Sequence, residues 1–243
     1  MDRLIFTAVS GAARSLSQQE IHANNLANVN TEGFRSDFDN AITQQVNGEG
    51  YASRYLAQPT QGSVDMAPGA ARETGRDLDI AIKGDGLIAL RSGNREVYTR
   101  NGQIDVNADG ELSVNGLPLE GDNGPIVLPP FSSVAIGDDG VITIVPEDGD
   151  IAAPMDIDRV KLVNIPANQL SKNQAGFLVT NAAFNPRDED VTVASGHLES
   201  ANVSAIGEMV SSIALNRQFE AQIKMMKAAE DLATAGNRLI RGS

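Results

Sequence analysis

Cysteine and tryptophan are both missing from this chain of 243 residues, and aromatic residues make up only 4% of it. Without cysteine there is no disulfide and no thiolate metal site, so stability must come from packing alone. With so few aromatics, that packing has to be built from Ala, Val, Ile and Leu. The 41% of apolar residues is enough for a core of that kind. Positive charge is also scarce, with 19 Lys and Arg against 32 Asp and Glu, a net charge of −13. Nucleic-acid phosphates and anionic membrane surfaces both demand clustered cations, so neither is an expected partner. No apolar run approaches the ~18 residues a membrane helix needs. The opening Met1-Asp2-Arg3-Leu4-Ile5-Phe6 lacks the long apolar stretch and cleavage site of a secretory signal. If the protein leaves the cytoplasm, it is expected to do so with no cleaved leader.

Chemistry-bearing residues are equally sparse. The two histidines, His22 and His197, have no second histidine at metal-ligand spacing. A hydrolase triad would need one of them, and no nucleophile elbow is present. Asp105-x-Asn107-x-Asp109-Gly110 starts like a calcium loop, but its twelfth position is Gly116 where a bidentate glutamate is required. It reads as a hairpin with a polar turn. Gly84-Asp85-Gly86 lacks the Lys-Ser/Thr or third glycine of a nucleotide loop, and Asp188-Glu189-Asp190 reads as a solvated run. No catalytic, metal-binding or cofactor-binding residue is assigned, and the chain is expected not to be an enzyme.

What is present is organisation. Residues 1–34 carry Arg3 and Arg14 against Asp2, Glu20 and Glu32, and residues 200–243 carry five basic side chains against four acidic ones. The ends are therefore nearly neutral, and the middle holds the negative charge. This pattern suits ends that pack and a middle that faces solvent. Over residues 3–28, Val9, Ala12, Leu16, Gln19, Ala23 and Leu26 recur at steps of three and four, the period of a helix. Gly11 weakens that helix by about 1 kcal/mol relative to alanine. Asn24, Asn25, Asn28 and Asn30 crowd its end, as a helix stop or as amides bonding to neighbouring backbone. Residues 200–241 return to helix, with Val203, Ile206, Val210 and Ile213 on one stripe. After one slipped interval the stripe resumes at Phe219, Ile223, Met226, Ala229 and Ala233. Such a helix would be about 60 Å long, beyond an ordinary globular one.

Between the helices, residues 35–75 are rich in Gln, Asn, Gly and Pro and read as an extended arm. From residue 76 the pattern changes to short strands. Leu78, Ile80 and Ile82 alternate with polar neighbours, and further strands are expected near 87–91, 95–99, 103–107, 111–114, 126–128, 133–136, 141–145 and 159–165. Asn-Gly and Asp-Gly pairs at 101–102, 109–110, 115–116, 123–124 and 139–140 supply the turns. The expected class is α+β: long N- and C-terminal helices paired in coiled-coil fashion around an inserted all-β domain. The expected division is residues 1–34 with 200–243 as a helical assembly domain, 35–75 as the arm, and 76–199 as the β-rich domain.

Three blocks then resemble the bacterial flagellar rod and hook family. The first is Ala23-Asn24-Asn25-Leu26-Ala27-Asn28-Val29-Asn30-Thr31-Glu32-Gly33-Phe34-Arg35. The second joins Ala81-Ile82-Lys83-Gly84-Asp85-Gly86 to Tyr98-Thr99-Arg100-Asn101-Gly102 and Gly110-Glu111-Leu112. The third is Gly196-His197-Leu198-Glu199-Ser200-Ala201-Asn202-Val203 followed by Arg217-Gln218-Phe219-Glu220. One departure is Glu32, where the family often has Thr or Pro. The opening residues and the run Lys224–Asp231 are most similar to the proximal-rod branch. The resemblance implies a structural subunit of the basal-body rod, located in the periplasm and exported through the flagellar type III apparatus. Its partners would be other rod proteins, and it would transmit torque from motor to hook. The terminal helices, marginal alone, are expected to order on assembly, with an assembly interface expected at Val9, Leu16, Asn24, Asn25, Leu26, Asn28, Val203, Ile206, Val210, Ile213, Phe219, Ile223 and Met226. Three competing expectations remain: a distal rod protein of the same family, an adhesin-like binding module with its ligand on the β domain, and a peptidoglycan-cleaving enzyme.

Overall fold

A computed structural model of the chain describes residues 2–39, 41–45, 55–59, 63–147 and 153–241. The class is α+β: one helix near each end and many short antiparallel strands between them. Helix α1 spans Asp2–Ala27 and helix α2 spans Ala205–Arg241. The chain separates into two compact units. One comprises Met1–Ala27, Asp37–Ser63 and Ser204–Ser243, and the other Asn28–Ser36 and Val64–Val203.

In the helical unit, α1 and α2 pack side by side. Their contacts run antiparallel, because His22 meets Glu208 at 2.5 Å while Gly11 lies under Gln222. The face of α1 turned inward is made of small residues. Ala8, Ala12 and Ser15 are buried, and Gln19 reaches Asn216 at 3.5 Å. These positions advance by three and four, so they form one stripe. The Gln222 amide sits 3.0 Å from where a Cβ on Gly11 would be. The glycine that weakens the isolated helix thus makes room for its partner. Part of the segment read as an arm belongs here too. Ala41–Gln45 and Tyr55–Pro59 pair in continuous antiparallel register, and the second strand lies against α1. The rest of that arm falls partly outside the described residues.

The β unit is built on a strand that is buried on both faces. Leu87-Ile88-Ala89-Leu90 does not alternate, and all four side chains are buried. Ile88 and Leu90 join a cluster with Ile80, Ile104, Leu112, Val114, Leu119, Ile142 and Val193. Leu87 and Ala89 face a second cluster with Tyr98, Val163, Leu170 and Leu178. A continuous apolar run is what a strand with cover on both sides requires. It lies within a five-stranded sheet, in the order Leu162–Val163, Leu87–Ser92, Arg95–Thr99, Leu178–Val179, Ser171–Lys172. The interior is the aliphatic one that the composition demands, and Tyr98 is the only fully buried aromatic among the described residues. Its hydroxyl donates to Glu96 at 2.8 Å and accepts from Asn185 at 2.7 Å. Burial pushes the phenol pKa above its ordinary value.

Two three-stranded sheets lie in the same unit. Phe131–Ile136, Val141–Pro146 and Met155–Arg159 form a meander, and Asp105–Val106, Leu112–Val114 and Leu117–Pro118 a second one. The turn of the calcium-like loop lies in the latter. The Asn107 carboxamide oxygen accepts from the backbone N–H groups of Asp109 and Glu111, so the loop satisfies itself as a hairpin. Asn115 and Gly116 turn the next hairpin at φ of 51° and 79°. Asn101-Gly102 is a correction to the sequence reading, since it makes no such turn. A Cβ on Gly102 would lie 1.7 Å from the Ile80 carbonyl oxygen, so this glycine serves close backbone approach. Residues 126–128 make only an isolated bridge, Glu111 to Val127. Pro125 and Pro129 bracket the segment and offer no N–H to extend a ladder. Conversely, Thr192–Ser195 and His197–Glu199 form strands that the sequence pattern did not suggest. They pair with Ile80–Lys83 and Ala71–Glu73.

Candidate functional site

The residues expected to carry assembly divide between the two units. On α2 the apolar pattern changes face partway along. Ile206, Val210 and Ile213 are 73%, 61% and 56% exposed, whereas Leu215 and Ala229 are buried. Phe219 and Met226 are half-buried. The slipped interval in the sequence is therefore where apolar residues leave the outward face and move to the face on α1. Ile223 lies outside that inner stripe and is exposed, as are Met209, Met225 and Leu232. On α1, Val9 and Leu16 are exposed together with Phe6, while Leu26 is half-buried. The single stripe read from the sequence combined two faces. Ala12 and Gln19 point toward α2, and Val9, Leu16 and Ala23 point away from it. Large outward side chains dominate a hydropathy pattern, whereas the seam uses Ala and Ser and is weak in it.

Past Ile213 the outward register of α2 continues as Arg217, Glu220, Lys224, Lys227, Asp231 and Arg238. All of these are exposed. One face of the helix thus passes from apolar to charged along its length. The apolar part spans about two turns.

The asparagine cluster acts through backbone. Asn25 is buried, donating to the Asp37 carbonyl at 3.0 Å and accepting from the Asp37 N–H at 2.9 Å. A side-chain amide thus replaces one rung of a strand ladder. Asn24 is exposed, and α1 ends at Ala27, two residues after Asn25 and directly before Asn28. In the β unit, Asn28 begins a turn in which its carbonyl accepts from Thr31 N–H at 3.0 Å. The amide-to-backbone bonding is present at Asn25, whereas none of the four asparagines adopts the positive φ of a left-handed helix stop.

The segments by which the chain enters and leaves the β unit are tied together. Gly33 N–H donates to the Glu199 carbonyl at 2.6 Å, and Asn202 N–H to that of Phe34 at 3.3 Å. The Asn202 side chain accepts from Ser36 N–H at 2.7 Å and donates to the carbonyls of Asp65 and Ala67, both at 3.0 Å. Val203, one residue on, is half-buried. Beneath them lies a group no sequence pattern indicated: Arg35, Arg100 and Glu199, all almost completely buried. Glu199 accepts from Arg35 at 2.6 Å, from Gly69 N–H at 2.7 Å and from Arg100 at 3.1 Å. Arg35 also donates to the Ala67 carbonyl at 2.7 Å and Arg100 to that of Gly84 at 2.6 Å. Burial lowers the Arg100 pKa from its ordinary value; Glu199 opposes the shift and the like charge of Arg35 adds to it.

Among the described residues no group of three or more His, Asp and Glu side chains is placed to hold a metal ion. His22 faces Glu208, and His197 faces the Ser195 carbonyl at 2.8 Å. Among the described residues no helix is long and apolar enough to cross a membrane.

Comparison with known proteins matches three stretches of the chain. Residues 5–35 match the family described as flagella basal body rod protein. Residues 81–144 match the flagellar hook protein FlgE/F/G D1 domain, and residues 194–239 the flagellar basal body rod FlgEFG protein C-terminal. Full-length relatives agree. The flagellar basal-body rod protein FlgF of Escherichia coli is 34% identical over 99% of both chains. That of Buchnera aphidicola subsp. Schizaphis graminum is 30% identical over 98% of both. The flagellar basal-body rod protein FlgG of Bacillus subtilis is 27% identical, covering 96% of this chain and 97% of its own.

Proposed function

Because the chain belongs to the flagellar basal-body rod proteins of FlgF type and is a structural subunit of that rod, we propose that it occupies the proximal rod and polymerises through its helical unit. The observation that carries this reading is the outward apolar face at Ile206, Val210 and Ile213, on a helix whose opposite face already packs on α1. A soluble chain has no use for three large apolar side chains more than half exposed on adjacent turns, unless another surface covers them. Neighbouring rod subunits are that surface. Head-to-tail contacts that do not close on themselves generate an open helical assembly.

In this reading α1 and α2 form a coiled-coil-like pair, residues 1–34 with 200–243 act as the assembly domain, and residues 76–199 form an acidic, β-rich domain exposed to solvent. The interface comprises Val9, Leu16, Asn24, Asn25, Leu26, Asn28, Val203, Ile206, Val210, Ile213, Phe219, Ile223 and Met226. Phe219, Met226 and Leu26 act from the seam, by setting the spacing of the pair. The subunit stands in the periplasm, reached through the flagellar export apparatus, and its role is mechanical.

The absence of cysteine makes the test clean. Val9→Cys and Ile213→Cys are introduced singly and together, and assembled rods are treated with a mild oxidant and with a thiol-modifying reagent. Disulfides between copies, or thiols shielded in rods and reactive in the free chain, are the expected outcome. Rods in which both thiols remain fully reactive would refute the interface.

A further inference from the structure

The buried trio of Arg35, Arg100 and Glu199 joins parts of the β unit that are far apart in sequence. Glu199 lies at the end of the last strand, Arg35 precedes the first strand of this unit, and Arg100 follows Arg95–Thr99. Its two side-chain oxygens hold both guanidiniums and the Gly69 N–H, and its carbonyl holds the Gly33 N–H. Two buried cations therefore share one buried anion. Their Nε atoms have no hydrogen-bond partner among the described residues, so the carboxylate is their principal compensation. The strands around it follow the same plan. Thr192–Ser195 and His197–Glu199 are the last in the unit, and they pair residue by residue with Ile80–Lys83 and Ala71–Glu73, which lie near its beginning.

We propose that Glu199 is a closing latch: the β unit reaches its native packing only when this carboxylate is in place to neutralise Arg35 and Arg100. Without it, closure buries two like charges with only the charge of the exposed Asp85 acting on Arg100, and an open, hydrated arrangement is favoured. A chain that emerges N-terminus first presents Arg35 and Arg100 long before Glu199. Such a chain keeps its β unit open until that residue arrives. The inference rests on the fold alone and stands or falls independently of the rod reading.

The test is native-state hydrogen exchange on the full-length chain, read by mass spectrometry, in a charge cycle. Glu199→Gln keeps the shape and removes the charge. It is expected to raise the opening of Ala71–Glu73, Ile80–Lys83, Leu87–Ser92 and Thr192–Ser195 together, by roughly a hundredfold or more. In an Arg35→Met/Arg100→Met background, where Glu199 is itself a buried charge without a cation, the same change is expected to leave opening unchanged or to lower it. Loss of protection confined to residues 67–70 and 197–202 would overturn the latch, since Glu199 would then be a local hydrogen-bond acceptor. An equal effect in both backgrounds would overturn it as well, by showing that charge is not the cause. If Glu199→Gln does not fold, the triple variant Arg35→Met/Arg100→Met/Glu199→Met decides. A protected β unit in that chain supports the latch, and an unprotected one overturns it.

Discussion

Val210→Asp separates the two faces of α2. Val210 is 61% exposed, so the free chain gives it little to lose. Substitutions at exposed positions stay within about 0.5 kcal/mol, and an added acid near the start of α2 is favoured by the helix dipole. Thermal unfolding of the purified variant followed by circular dichroism should match that of the parent. Assembly is another matter. Covering the exposed part of the valine contributes about 1 kcal/mol per contact. An unpaired carboxylate in the covered interface adds a penalty of roughly 3–5 kcal/mol. Together these weaken each contact by about a thousandfold to ten-thousandfold, at ~1.4 kcal/mol per factor of ten, and a polymer repeats the loss at every subunit. Complementation of motility, with electron microscopy of isolated basal bodies, should show no rods built from Val210→Asp. Leu215→Asp is the control. Leu215 lies five residues on and is 8% exposed, so this change should unfold the helical unit in the free chain by about 3 kcal/mol or more. Normal rods from Val210→Asp would refute the assignment of the outward face. A melting transition as damaged as that of Leu215→Asp would refute the separation of faces.

Four further substitutions, at three positions, test the segments that hold the units in shape. Gly33 has φ of +68°, and a Cβ there would lie 2.1 Å from the Asn101 nitrogen and 2.3 Å from the Arg100 carbonyl carbon. Gly33→Ala should therefore cost well over the ~1–2 kcal/mol of a left-handed alanine. Gly116→Ala, at φ +79° with nothing within 4 Å, should cost only that strain; urea unfolding of the two variants side by side makes the comparison. Asn25→Ala removes both bonds to the Asp37 backbone and should destabilise the helical unit by about 2–3 kcal/mol, read from its thermal transition. Asn25→Asp buries a charge and sets a carboxylate oxygen against the Asp37 carbonyl, so it should destabilise more than Asn25→Ala.

The sequence by itself determined what depends on short-range chemistry. Helical periodicity placed α1 and α2, and Asn-Gly and Asp-Gly pairs marked turns such as Asn115-Gly116, because a positive φ is a local demand. The lack of cysteine and of aromatics dictated an aliphatic core. The signature Asn24–Arg35 and the blocks that accompany it carried the family. Tertiary structure decided the rest. Which face of α2 meets α1 was not legible, because the inner stripe of α1 is Ala8, Ala12 and Ser15, too weakly apolar to stand out against Val9 and Leu16. Gly102 looked like a turn residue, and only the approach of Ile80 revealed its use. Thr192–Ser195 and His197–Glu199 are short and polar, and they become strands because Ile80–Lys83 and Ala71–Glu73 need partners. Arg35, Arg100 and Glu199 look like solvated surface residues in any local pattern. Their burial follows from a closure that brings residues 35 and 199 within hydrogen-bond distance, and no window of sequence contains both.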